Sequence, residues 1–210
     1  MICDKLFECV KFADTEKTKE EKINVTKGKK TKKKNKVSKE VWKSPCNDSN
    51  KQCQCVQYAD TRPRAQCQEK GKSYVYDQSV LDNKQMVVCM HIDNGAVNGS
   101  EANDINKCDY SFFIKNTPIA DSLEKAILVE LKGSDVDHAL EQLKGTLNIK
   151  EFKDVWNNGC PIYGRVVCSR VPGVVFNESV IKEKREWTKK YKGSLIISSG
   201  RSMTDICNKM

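Results

Sequence analysis

Between residues 84 and 200 the chain falls into a fixed order of short apolar runs and amphipathic segments. That order restricts the fold more than any other feature. "KQMVVCMHID" (84–93) has the composition of a strand and ends at the turn signal Asp93-Asn94-Gly95. A polar connection leads to "CDYSFFIKN" (108–116), an aromatic-rich second strand, and "NTP" then turns the chain into a third, "KAILVELKG" (125–133). These three segments predict an antiparallel meander. "SDVDHALEQLKGTL" follows, with Ser134 as the expected N-cap and Val136, Ala139, Leu140, Leu143 and Leu147 on one helical face. "CPIYGRVVCSR" (160–170) reads as a strand, "ESVIKEKREWTKKY" as a mostly charged helix and "GSLIISSG" (193–200) as a last strand. The order strand–strand–strand–helix–strand–helix–strand predicts an α/β sandwich around a mixed sheet, its last two strands joined by a parallel crossover.

The residues before this region have another character. Of the 37 basic and 28 acidic residues, 12 lysines and three glutamates (Glu20, Glu21, Glu40) fall within 17–43, which leaves 25 of each sign elsewhere. The whole net charge of +9 therefore lies in one segment, centred on "KGKKTKKKNK". Such a run cannot bury enough apolar surface to fold alone and is expected to be a flexible arm. It suits sequence-independent contact with nucleic-acid phosphates, and it equally fits a solvated charge run. Residues 1–16 place Ile2, Leu6, Phe7 and Val10 at helical spacing, predicting a short N-terminal helix. Residues 44–72 form a Cys-rich accessory segment, and 73–210 the folded core.

No stretch approaches the roughly 20 apolar residues of a transmembrane helix, and "MICDKLFECVKF" carries charges where a signal peptide keeps a continuous apolar core. The expectation is a soluble, cytoplasmic chain that is neither exported nor membrane-bound. Eleven cysteines rule out a complete intramolecular disulfide set, and reduced thiols are expected inside a cell. Cys46, Cys53, Cys55 and Cys67 could together hold a structural Zn²⁺, although their spacing lacks paired C-x2-C knuckles. Cys160, Cys168 and Cys207 read as small buried hydrophobes.

The chemistry lies in the charged residues of the apolar strands. Glu130 and Lys132 are two apart at the end of the third strand, so both point to one face. Asp109 opens the second strand, and a turn near 116–122 would bring it beside Glu130. Two adjacent carboxylates repel, and a divalent cation is the simplest relief. Oxygen ligands with open positions suit Mg²⁺ or Mn²⁺ better than zinc. A cation held there can offset the charge that builds up at phosphorus, and Lys132 can orient the attacking water. Asp135, His138 and Gln142 share the polar face of the following helix, which places the Gln142 amide near the water or a phosphate.

At these positions the sequence resembles the PD-(D/E)XK nuclease superfamily, which includes many restriction endonucleases and Holliday-junction resolvases. Asp109 in "CDY" matches its strand-initial aspartate, Glu130-Leu131-Lys132 its E-x-K, and Gln142 in "HALEQL" the helical glutamine of its recombination-type branch. The resemblance covers residues 84–200, somewhat over half the chain. It implies a restriction-endonuclease-like α/β/α sandwich and Mg²⁺-dependent phosphodiester hydrolysis, usually of DNA. Asp109, Glu130 and the Leu131 carbonyl would be metal ligands, with Lys132 as the water-orienting residue. Cys108 stands where the motif has proline, and Glu8 is a candidate for the extra upstream acid of some members.

Other readings coexist with this one. E-x-K alone is common in lysine-rich chains, and a same-face ion pair at a strand end contributes about 0.2–1 kcal/mol. Cys89, His91 and Asp93 alternate on one strand and could mimic a metal trio, and Asp93 competes with Asp109 as the first carboxylate. Arg165 and Arg170 are either phosphate contacts or surface charges. The alternatives to a nuclease are a non-catalytic nucleic-acid-binding module on the same fold and a zinc-binding interaction adaptor. Double-strand cutting by one site per chain would favour a homodimer.

Overall fold

The computed structural model describes residues 55–97, 104–116, 123–150, 152–153, 159–169 and 178–210. The lysine-rich segment, the expected N-terminal helix, Glu8, Cys46, Cys53 and Arg170 lie outside the described residues. Among the described residues, nine strands and two α-helices are arranged as β1 (Val56–Asp60), β2 (Arg64–Glu69), β3 (Lys72–Asp77), β4 (Met86–His91), β5 (Tyr110–Lys115), β6 (Lys125–Lys132), α1 (Val136–Asn148), β7 (Ile162–Cys168), α2 (Glu178–Tyr191), β8 (Lys192–Ser199) and β9 (Ser202–Ile206). A 3₁₀ turn, Cys207–Lys209, follows β9. Among the described residues no helix is long and apolar enough to cross a membrane.

The protein is α/β with a mixed six-stranded sheet in the order β1-β4-β5-β6-β7-β8 and a second sheet in the order β2-β3-β9. The expected meander is present, since β4, β5 and β6 pair antiparallel. The two βαβ units follow: β6 pairs parallel with β7, and β7 with β8.

Both helices lie on one face of the large sheet. Val136, Ala139, Leu140, Leu143 and Leu147 of α1 and Val180 and Trp187 of α2 share one core with Val88, Phe113, Leu128, Val166 and Leu195. Trp187 donates its ring N–H to the Ile162 carbonyl at 2.8 Å. Its ring lies against Gly164, where an added Cβ would stand 3.1 Å from the indole and 2.7 Å from Leu195. The α1 N-cap is Asp135, whose carboxylate accepts from the His138 N–H at 2.9 Å, one residue later than the expected Ser134. Gly133, at the strand-to-helix junction, has neither a positive φ nor a close neighbour, so the turn there does not depend on glycine.

The opposite face departs from the expected α/β/α layering: among the described residues it carries the small sheet. β2 and β3 alternate, with Ala65, Cys67, Tyr74 and Tyr76 turned inward onto Val87, Phe112, Ile127 and Val129. Residues 56–69, expected to be accessory, thus supply the edge strand β1 and the strand β2. Cys55 and Cys67 are buried in different cores. Every described cysteine is buried, including Cys160, Cys168 and Cys207.

Arg165 ties the two sheets together. It is neither a surface charge nor a phosphate contact, because its side chain is fully buried. Its guanidinium pairs with Asp205 of β9 and donates to the carbonyls of Gly164 (2.8 Å) and Ser194 (2.7 Å). Asp205 also accepts from the Tyr74 hydroxyl of β3 at 2.9 Å. Losing one partner strands a buried charge, so Arg165→Ala should lower the unfolding free energy by about 3–5 kcal/mol in urea titration. The apolar double variant R165M/D205L should recover much of that loss.

Candidate functional site

The β5–β6 register sets the position of the site. Tyr110 pairs with Val129, so one step outward Asp109 faces Glu130 at the open end of the pair. The Asp109 N–H donates to Glu130 Oε2 at 3.2 Å, and Asp109 Oδ2 accepts from the Leu131 N–H at 2.7 Å. The N–H and C=O of a strand residue point to the same side, so the Leu131 carbonyl is directed toward the Asp109 side as well. Alternation along β6 turns Ile127, Val129 and Leu131 into the core under the small sheet and Glu130 and Lys132 toward α1.

α1 completes the arrangement. Lys132 Nζ lies 3.6 Å from Glu130 Oε1 and donates to Gln142 Oε1 at 2.5 Å. The Gln142 amide N–H₂ in turn donates to the Lys107 carbonyl at 3.0 Å. Gln142 therefore bridges the lysine and the segment that leads into Asp109. Two further contacts anchor that segment. The Cys108 N–H donates to Thr146 Oγ1 at 2.8 Å, and Asn106 rests so close to Gly145 that an added Cβ would stand 2.1 Å from its carbonyl oxygen. The glycine inside the helical run "LKGTL" is a sequence signal for a packing constraint at this point of the helix.

Asp109 and Glu130 are buried, with relative exposures of 7% and 1%. Burial pushes the Glu130 carboxyl up to about 8, the adjacent Asp109 adds to the rise, and Lys132 opposes it. Asp109 is pushed up to about 7, again by burial first; the Leu131 N–H opposes the rise, and Glu69 and Asp93 add to it. Four acids thus act on one small region. Lys107 lies 3.3 Å from Asp93, and Lys132 is shared between Glu130 and Gln142.

The oxygen donors suit a hard divalent cation. Mg²⁺ is usually bound through one or two carboxylates and keeps several waters for exchange with substrate phosphate. Asp109, Glu130 and the Leu131 carbonyl provide a set of that kind. Among the described residues no group of three or more His, Cys, Asp or Glu side chains is arranged to hold a metal ion. The Cys89, His91, Asp93 trio does not converge. Cys89 is buried under the small sheet, the His91 ring stacks on Tyr110 at 4.8 Å, and Asp93 lies beyond the end of β4 with Lys107. Asp135 caps α1, and His138 Nδ1 lies 3.6 Å from Glu141, so neither joins the site.

Known proteins supply no family for this chain: no family model, no curated protein and no solved structure matches it.

The raised carboxyls fix the sign of a pH effect. In the unfolded chain these groups return toward their ordinary values of 3.8 and 4.5, so the folded protein binds more protons near neutrality. Their contribution to stability is complete below about pH 4 and is lost as pH rises through 7 and 8. Thermal unfolding of the metal-free protein should show a Tm that falls from pH 5 to pH 9, with a shallower fall for Glu130→Gln. Added Mn²⁺ should raise the Tm more at pH 8 than at pH 6, because the ionised pair is the ligand.

Proposed function

We propose that this protein is a Mg²⁺-dependent nuclease that hydrolyses phosphodiester bonds, most suitably in DNA. One observation carries the reading. Two buried carboxylates face each other at a strand end, with an ammonium 3.6 Å from one of them. Burying two acids side by side is costly, and a structural role would be better served by apolar residues of similar size. A divalent cation removes that cost and gives the pair a chemical use. The order and direction of β4 to β8, with α1 after β6, support a restriction-endonuclease-like core on the helical face.

Asp109, Glu130 and the Leu131 carbonyl would hold the cation, which when bound offsets negative charge on a phosphodiester oxygen. Lys132 is placed to orient the attacking water and to stabilise charge at phosphorus as it develops. Gln142 accepts from the Lys132 ammonium, and this fixes the direction in which the lysine's remaining protons point. Burial behind α1 and the small sheet lowers the local dielectric, which strengthens each of these interactions. The lysine-rich segment 17–43 would add sequence-independent affinity for the backbone.

A panel of duplex, single-stranded and branched DNA, together with RNA, incubated with Mg²⁺ or Mn²⁺ tests the reading. Glu130→Ala and Asp109→Ala should abolish cleavage and Mn²⁺ binding. Lys132→Ala should keep Mn²⁺ binding and lose about 10²–10³-fold in kcat. Binding of nucleic acid without cleavage of any substrate would instead favour a non-catalytic module on the same fold.

A further inference from the structure

The carboxylates create a difficulty that their own neighbourhood does not resolve. Glu69 and Asp93 lie near the Asp109–Glu130 pair, and a polyanion approaching this cluster of acids is repelled. Lys107 and Lys132 are already engaged with Asp93, Glu130 and Gln142. Cations that grip the flanking phosphates, away from the reacting one, must come from other elements.

The small sheet supplies them at the same end of the fold. β2 and β3 pair down to Glu69↔Lys72, leaving Lys70 and Gly71 as a two-residue turn. Their φ values of 47° and 76° are those of a tight hairpin whose twist matches its strands. Its Lys70 side chain is 83% exposed and lies 3.0 Å from the half-buried Glu69, and the solvent around the ammonium weakens that pair. The Tyr110 hydroxyl of β5 donates to the Gln68 carbonyl at 3.1 Å, which moors this hairpin beside Asp109.

The β8–β9 corner lies next to it. The Gly200 N–H donates to the Cys168 carbonyl at 2.8 Å, and Cys168 is the β7 partner of Lys132. The Arg201 carbonyl accepts from the Ser73 N–H at 2.9 Å, directly after Lys72. Lys72 and Arg201 have no carboxylate partner among the described residues, and Arg201 is exposed. With neighbouring strands about 4.8 Å apart, the end of β8 that leads into this corner lies two strand spacings, roughly 10 Å, from the backbone of Lys132. Burial pushes the Cys168 thiol at the end of β7 up to about 11, and Lys72 is the strongest influence opposing the rise.

We propose that Lys70, Lys72 and Arg201 form a cationic rail on the small-sheet side of the carboxylates that grips the phosphodiester backbone of the substrate. The inference rests on the nuclease reading for the word substrate, but the rail makes a binding claim of its own. It gives the backbone a direction, passing over the β2–β3 and β8–β9 turns rather than over α1.

The test uses the full chain with Ca²⁺ in place of Mg²⁺ and a fluorescein-labelled DNA duplex, measuring anisotropy from 50 to 300 mM NaCl. The variant K70Q/K72Q/R201Q should flatten the slope of log K against log salt by about 2–3, since each phosphate contact contributes about 0.9. Each single variant should contribute about one third of that change, which keeps the test decisive if the triple variant folds poorly. K189Q/K190Q/K192Q removes three charges at the opposite end of β8 and should leave the slope unaltered. Mn²⁺ affinity and Tm should match the wild type in both sets. An unchanged slope in the rail variants, or an equal fall in the control set, overturns the rail. Wild-type binding in Ca²⁺ with no cleavage once Mg²⁺ or Mn²⁺ replaces it defeats the nuclease reading alone, whereas a wild type that does not bind at all defeats both.

Discussion

The pairing of β5 with β6 is the constraint on which the site depends. Period-two alternation means that a slip of one residue would turn every side chain of β6 to the wrong face. That register is held from both sides, because Ala126 and Leu128 enter the helical core while Ile127, Val129 and Leu131 enter the core under the small sheet. Burying Ile127, Leu128, Val129 and Leu131 stabilises the strand by roughly 6–12 kcal/mol in all. This exceeds the several kcal/mol that a buried, partly paired carboxylate costs. Glu130 is held in an unfavourable place by neighbours whose preference for it is stronger.

The same comparison explains why the small sheet matters to the chemistry. Without it, Ile127, Val129 and Leu131 would face water on one side and Tyr110 would lose its contact with Gln68. Arg165, Asp205 and Tyr74 fasten that sheet through charged hydrogen bonds, where an apolar contact would leave more freedom to slide. The site is thus built by the large sheet, aligned by α1 and closed from behind by β2, β3 and β9.

Much of this was legible in the sequence, and the parts that were not share a cause. β4, β5, β6 and α1 bury most of their length on one or both faces, so hydrophobic periodicity reports them directly, and with them Asp109, Glu130, Lys132 and Gln142. β1, β2 and β9 read "VQYAD", "RAQCQE" and "SMTDI", short runs with few apolar residues, and in β9 one of the two buried positions is the polar Asp205. β9 is a strand because β3 lies beside it, a relationship that a local window does not contain. In sequence Arg165 reads as a phosphate contact or a surface charge, because its partner, Asp205, is distant along the chain. Asp135 displaced Ser134 as the cap because the helix begins one residue later than spacing alone suggests.

The pairing of β3 with β9 has a consequence for how the molecule forms. Ser73 meets Ser202 and Asp77 meets Ile206, so two parallel neighbours are separated by most of the folded sequence. Closing so long a loop sacrifices chain entropy before any contact compensates for it, and folds rich in such contacts acquire their structure slowly. On the ribosome, β2 and β3 emerge long before β9 exists. Until it arrives, one edge of β3 is an open template and Arg165 lacks its carboxylate, so the nascent chain passes through an interval of heightened aggregation risk.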